Sequence, residues 1–164
     1  TRTIAFKLAA RCGLRSAEVL KVSPDDIYDT DAGHIVKVEE GKGDKYREAP
    51  IPDTLVTQIN TADNYRDADS SEPIVPVTTT QSLRNWIQTA RETLIEVEDD
   101  DRWQYVSMHD LRRTWATGLA DMDVEPLIVC EWAGWDDIST FKSHYKDVYR
   151  PEAQERERNK VEWL

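Results

Sequence analysis

The chain has 164 residues, which is enough for a single domain with a substantial hydrophobic core. It contains no apolar stretch long enough to cross a membrane and no signal peptide, which predicts a cytoplasmic protein without a membrane anchor. Acidic residues outnumber basic ones by 32 to 21, and the formal net charge of −11 argues by itself against nucleic acid as a partner.

Two helices are predicted at the start of the chain. Apolar residues recur at helical spacing from Ile4 to Ala9, and Gly13 interrupts the pattern. Ser16 is a candidate cap for a second, short helix over 17–22.

A β-hairpin is predicted next. Residues 34–39 alternate and are rich in β-branched side chains, which favours a strand. Residues 41–44 have the composition of a turn, and 45–52 form the second strand.

Helices dominate the rest of the chain. Ser107 and Asp110 have the spacing of a capping box at the start of one of them. The polar segment 61–76 and the acidic run 98–101 are predicted loops. The predicted helices cover 53–60, Thr80 or Ser82 through Leu94, 108–122, 124–133 and 138–148. The predicted fold class is therefore mainly α with a small antiparallel β-sheet.

The charged residues follow a distinctive pattern. The acids favour Asp, the bases favour Arg over Lys, and acids cluster in surface-like runs such as 98–101. This is typical of a protein that stays soluble at very high salt, where self-repulsion is screened. We therefore predict a halophilic archaeal source, for which net charge reflects the solvent and local basic clusters are judged separately.

The two cysteines, Cys12 and Cys130, lie in apolar helical patterns. Neither has a Cys or His at metal-ligand spacing, so we expect buried, reduced thiols and predict no metal site.

Four segments carry residues suited to phosphate chemistry. In the first, Gly13-Leu14-Arg15 precedes Glu18, and an arginine beside a helix start can bind phosphate through both arms of its guanidinium. Taken alone, the segment is explained more simply by a surface arginine at a helix junction.

The second segment is the predicted hairpin turn. Lys42 stands between two glycines, where its mobile side chain could reach a leaving oxygen as a general acid. Lys45 and Arg47 follow and could contact backbone phosphates. A solvated, glycine-rich turn is the alternative.

The third segment gives the strongest signal. His109 and Arg112 are three residues apart and share one helix face. Both lie in a first turn, where unpaired N–H groups and the helix dipole favour an anion. A structural histidine in the capping turn is the alternative.

The fourth segment contains Trp135 and ends in two tyrosines, Tyr145 and Tyr149. An indole N–H only donates hydrogen bonds, so Trp135 could bind a phosphate oxygen but could not act as a base. A buried core tryptophan is the alternative.

In this order, the four segments resemble the motifs of the tyrosine recombinases, the phage integrase family, over roughly residues 3–150. Two positions depart from the family pattern. Arg113 stands where a second histidine is usual, and Trp135 stands where most members have histidine and some have tryptophan. Tyr145 lies one residue beyond a common position of the nucleophile, which is occupied by His144, and Tyr149 is the second candidate.

The resemblance implies a metal-free and cofactor-free enzyme that cuts and rejoins double-stranded DNA through a 3′-phosphotyrosine. Tyr145 would attack the phosphodiester, and the phenol, which ordinarily titrates near 10, would need nearby positive charge. The implied catalytic residues are Arg15, Lys42, His109, Arg112, Trp135 and Tyr145, with Glu18 and Arg113 in support and Lys45 and Arg47 on DNA.

The resemblance also implies the organisation of the protein. We expect residues 1–164 to be a single catalytic domain from a longer protein whose N-terminal core-binding domain is absent from this chain. The tail 151–164 either docks on a neighbouring protomer or is a frayed, charged end. We expect a tetramer on DNA and a monomer in isolation. A type IB topoisomerase and a catalytically inactive DNA-binding regulator of the same fold are the alternatives.

Overall fold

A computed structural model describes residues 1–39, 46–66, 68–144 and 151–163. Its helices are α1 (Arg2–Cys12), α2 (Ser16–Val19), α3 (Asp53–Asn64), α4 (Thr80–Glu98), α5 (Met108–Asp121), α6 (Pro126–Ala133), α7 (Ile138–His144) and α8 (Pro151–Arg158). Its strands are β1 (Ile27–Thr30), β2 (Gly33–Glu39) and β3 (Tyr46–Pro50), which form an antiparallel sheet of order β1-β2-β3. The predicted fold class is confirmed.

The sheet has one strand more than the predicted hairpin. Strand β1 pairs with β2 from Ile27 opposite Val36 to Thr30 opposite Gly33. The strand is four residues long and carries an Asp, so its own alternation is too weak to identify it. Pairing with β2 stabilises β1 through tertiary contacts rather than through strand propensity.

Several helical boundaries also differ from the sequence prediction. Helix α2 stops at Val19, short of the predicted end near residue 22, while α3 continues to Asn64. The tail forms a helix, α8, although its sequence is polar on most faces. Arg156 of α8 is hydrogen-bonded to Asp123, which ties this helix to the turn after α5.

Apolar side chains form two clusters around α1 and α5. The larger cluster joins α1, the sheet, α3 and α4, and includes the fully buried Leu8, Leu55 and Leu83. Each such side chain stabilises the fold by roughly 1.5–3 kcal/mol. The smaller cluster joins α5, α6 and α7 around Trp115 and Phe141.

The turn after α1 packs very closely against α5. Gly13 ends α1 in the left-handed conformation, with φ of 67°, and a Cβ built on it would lie 2.4 Å from Cε3 of Trp115. Only glycine combines this backbone angle with so close an approach. The contact brings the residues that follow Gly13 against α5.

Both cysteines are free and buried, as predicted. Burial raises the pKa of the Cys12 thiol to about 12, which keeps it protonated and unreactive at neutral pH. The described ranges contain no group of His, Cys, Asp and Glu able to hold a metal ion. Within those ranges, every helix is too short or too polar to cross a bilayer.

The close packing at Gly13 can be tested by substitution. Gly13→Ala should lower the free energy of unfolding by about 2–4 kcal/mol, because it combines a strained left-handed residue with a clash against Trp115. Gly118→Ala is the control: a Cβ there meets nothing within 4 Å, so it should stabilise α5 by about 0.5–1 kcal/mol. Urea unfolding measures the free energy of unfolding of both variants. Equal changes in the two variants would contradict the close contact between Gly13 and Trp115.

Candidate active site

The N-terminal end of α2 carries the first two residues of the site. The backbone N–H of Arg15 donates to the Glu18 carboxylate at 2.6 Å, and Nη1 of Arg15 donates to Oε1 of Glu18 at 2.8 Å. Glu18 therefore caps its own helix and holds the Arg15 side chain. The predicted cap, Ser16, is instead the first residue of the helix.

Glu18 is a buried carboxylate surrounded by arginines. Arg47 from β3 donates from Nη1 to Oε1 at 2.9 Å and from Nη2 to Oε2 at 2.8 Å. Nη1 of Arg112, from α5, lies 3.9 Å from Oε2. One negative charge thus faces the positive charges of three arginines, and the cluster has an excess of positive charge that favours an anionic ligand.

The pKa of Glu18 reflects these contacts. Burial alone would raise it, but the hydrogen bonds and charge of Arg47, with the hydrogen bonds from Arg15, outweigh burial and lower the pKa to about 2. The carboxylate is therefore ionised at neutral pH, although its side chain is only 9% exposed.

The same three arginines also bind the C-terminal end of α6. In an α-helix the last carbonyls have no partner within the helix and carry its negative dipole end. Here each of three successive carbonyls accepts from a different arginine: Trp132 O from Nε of Arg47 at 2.8 Å, Ala133 O from Nη2 of Arg112 at 2.5 Å, and Gly134 O from Nη2 of Arg15 at 2.9 Å.

The chain turns sharply immediately after those carbonyls. Gly134 is left-handed, with φ of 63°, and the N–H of Trp135 returns to the carbonyl of Cys130 at 2.9 Å. This Schellman-type end fixes the direction in which Trp135 leaves α6. The site therefore joins the start of α2, strand β3 and the end of α6.

Arg112 is the most enclosed member of the cluster. It is 3% exposed, donates to the carbonyl of Gly13, and has the Trp135 ring 5.5 Å from its guanidinium carbon. Burial, followed by repulsion from Arg15 and Arg47 and opposed by Glu18, lowers its pKa to about 10. It is still charged at neutral pH.

The first turn of α5 lies one helical turn from Arg112. Ser107 and Asp110 form the predicted capping box, in which the Ser107 N–H donates to Asp110 at 3.0 Å. His109 in this turn is exposed. Nη1 of Arg113 lies 3.8 Å from Asp110, so Arg113 points to the capping box rather than into the arginine cluster.

The structure thus brings four of the predicted catalytic and supporting residues into contact: Arg15, Glu18, Arg112 and Trp135. His109 lies in the first turn of α5, one helical turn before Arg112. Four further predicted residues lie outside the described ranges: Lys42, Lys45, Tyr145 and Tyr149.

Arg47 has a different position from the one predicted. A DNA backbone contact requires an exposed guanidinium, but the side chain of Arg47 is 5% exposed and points inward to Glu18. The alternation of β3 carries the missed signal, because Arg47 shares the buried face with Ala49 while Tyr46 and Glu48 face outward. An arginine on the inward face of a strand needs a buried carboxylate as its partner.

Comparison with known proteins identifies a family for the chain and structures of similar fold. The sequence profile of the phage integrase family matches residues 1–152. The fold is similar to that of XerH site-specific recombinase bound to its difH substrate, with a TM-score of 0.70 and 19% identity over 94% of this chain and 45% of that one.

Two further structures are similar. The Tn1549 transposon integrase in complex with circular intermediate DNA gives a TM-score of 0.74 at 14% identity, over 98% of this chain and 59% of that one. XerA recombinase gives 0.68 at 18% identity, over 95% and 60%. The chain therefore spans between about 45% and 60% of the length of these proteins. No curated protein sequence matches it significantly.

The depressed pKa of Glu18 predicts a dependence of stability on pH. Between about pH 4.5 and pH 2 the unfolded chain binds a proton that folded Glu18 does not, so this stabilisation is complete above pH 4.5 and lost as pH falls toward 2. From pH 4.5 to pH 2, the free energy of unfolding of the wild type should fall by about 2–3 kcal/mol more than that of Glu18→Gln. Urea unfolding at each pH measures the difference, and parallel curves would contradict the assignment.

Proposed function

The chain belongs to the phage integrase family, and we propose that it is the catalytic domain of a site-specific DNA recombinase. In this proposal it cleaves and rejoins strands through a 3′-phosphotyrosine. The observation that carries the proposal is the excess positive charge of Arg15, Arg47 and Arg112 around Glu18, beside the N-terminal end of α5. Related structures with DNA, XerH and the Tn1549 integrase, support duplex DNA as the substrate.

Arg15 is the proposed direct phosphate ligand. Its side chain is 43% exposed while Glu18 and the carbonyl of Gly134 fix its guanidinium, so a ligand meets a pre-oriented donor. Donors held in place before reaction stabilise a developing charge without reorganisation. Arg112 adds positive charge from the buried side of the cluster.

The proposed nucleophile is Tyr145, which follows directly after α7 in the sequence. Attack by its phenol oxygen on phosphorus forms the phosphotyrosine bond, and the 5′-oxygen leaves with its bonding electrons. Because a free phenol titrates near 10, the positive charge of the arginine cluster is needed to stabilise the phenolate. Tyr149 is the second candidate.

Proton transfer is assigned to two further residues. His109, exposed at the start of α5, assists proton transfer at the phosphate. Lys42 protonates the departing 5′-oxygen. Attack by the 5′-hydroxyl of another strand then reverses the first step and releases Tyr145. The bond energy is conserved in the phosphotyrosine, so we propose a reaction that needs neither metal nor cofactor.

The wider organisation is part of the same proposal. The chain acts as a single domain in a longer, cytoplasmic protein that assembles as a tetramer on DNA. The tail 151–164 docks on a neighbouring protomer in that assembly. The acidic surface suits a halophilic source, so activity should be higher at molar potassium chloride than at low salt, in contrast to the usual weakening of DNA binding by salt.

Covalent capture tests the proposed reaction. The substrates are duplexes of randomised sequence that carry a nick. Where the nick lies close to the cut, the short strand with the free 5′-hydroxyl diffuses away, so the cleavage step cannot be reversed. A protein that cleaves DNA should then accumulate as a protein–DNA adduct that survives SDS. The full protein containing this chain should form that adduct, and Tyr145→Phe should abolish it because the attacking oxygen is missing.

Tyr65→Phe is the matched control, since Tyr65 is 89% exposed and lies outside the site. It should leave the adduct yield unchanged. An adduct that persists in Tyr145→Phe and disappears in Tyr149→Phe would identify Tyr149 as the nucleophile. No adduct at either low or molar salt, despite binding to the duplex, would sink the enzyme proposal in favour of a DNA-binding protein without catalysis.

A further inference from the structure

Arg47 connects three parts of the site although it lies on a strand. Its guanidinium contacts both oxygens of Glu18 on α2, and its Nε–H donates to the carbonyl of Trp132 at the end of α6. The side chain is 5% exposed, so these contacts are shielded from water. A planar guanidinium makes this fork with a carboxylate, whereas a lysine ammonium cannot.

The contacts of Glu18 show what Arg47 changes. Oε1 accepts from both Arg15 and Arg47, and Oε2 accepts from Arg47 and lies 3.9 Å from Arg112. Without Arg47, the full negative charge of Glu18 would act on Arg15 and Arg112 alone. It would then offset about half of the positive charge that those two residues present to a ligand.

We propose that Arg47 is a positioning residue that neutralises Glu18, so that the charge of Arg15 and Arg112 is available to the DNA phosphate. Glu18 can then hold the Arg15 guanidinium in place without cancelling its charge at the site. The Nε–H of Arg47 also holds the last turn of α6, from which Trp135 departs. This inference rests on the proposed recombinase function.

Charge restoration separates this role from a purely structural one. Arg47→Met should slow covalent cleavage by roughly 10- to 100-fold, the effect of one unit charge nearby in a protein environment. Adding Glu18→Gln removes the uncompensated negative charge, so the double variant should cleave about tenfold faster than Arg47→Met. Rates are compared per folded molecule, because neutralising Glu18 also relieves an unpaired buried charge and so restores stability. A purely structural Arg47 predicts equal rates for the two variants once the folded fraction is taken into account.

A second arginine provides the matched control. Arg66 donates to the Asp63 carboxylate and to the carbonyl of Pro73, so its contacts resemble those of Arg47 but lie outside the site. Arg66→Met and Arg66→Met with Asp63→Asn should each lower the unfolding temperature and leave the cleavage rate per folded molecule unchanged.

Arg47→Lys covers the case in which Arg47→Met does not fold. It keeps the charge and loses the fork, so its cleavage rate should stay within about tenfold of wild type. A double variant no faster than Arg47→Met, or an Arg47→Lys as slow as Arg47→Met, overturns the proposal.

Non-covalent binding distinguishes failure of this inference from failure of the proposed function. If wild type forms no adduct, the function is wrong, and affinity for intact duplex DNA then decides the role of Arg47. Weaker binding by Arg47→Met that Glu18→Gln restores supports charge balance. An affinity for duplex DNA that is the same in wild type, Arg47→Met and the double variant overturns the charge-balancing role of Arg47.

Discussion

The site depends on a buried carboxylate that is held by arginines from three different parts of the chain. Glu18 cannot be ionised inside the protein unless positive partners compensate for lost hydration, and Arg15, Arg47 and Arg112 supply them. The same arginines satisfy the three carbonyls at the end of α6, which would otherwise be open. Removing one of these arginines therefore alters both the charge of the site and the position of α6.

Packing elsewhere in the fold serves this arrangement. Gly13 lets α1 approach α5 closely, and its carbonyl accepts from Arg112, so the start of α2 is fixed beside α5. Strand β3 presents Arg47 inward because its partner strand β2 buries the same face. Gly134 then ends α6 so that the Trp135 ring covers the Arg112 guanidinium. Helix ends and one strand, rather than a large cavity, build the site.

Strong local patterns allowed much of this to be predicted. Helical periodicity and the Ser107 capping box placed α5, and the spacing of His109 and Arg112 on one face follows from helix geometry. The weak strand β1 was missed because its stability comes from pairing with β2. Arg47 was predicted to contact DNA backbone phosphates, but its side chain is buried against Glu18. Its partner, Glu18, is distant in sequence, so only the folded structure reveals the pair.

In the proposed function, the arginine cluster is held in position before DNA binds and receives one DNA phosphate. A crystal structure of the full protein bound to a captured duplex tests it most directly. We expect non-bridging oxygens of one phosphate within about 3 Å of the Arg15 guanidinium, beside the first turn of α5, while Arg47 stays on Glu18 and on the carbonyl of Trp132. A phosphate bound elsewhere, with Arg15 turned away, or an Arg47 that leaves Glu18 to contact DNA, would contradict the claim.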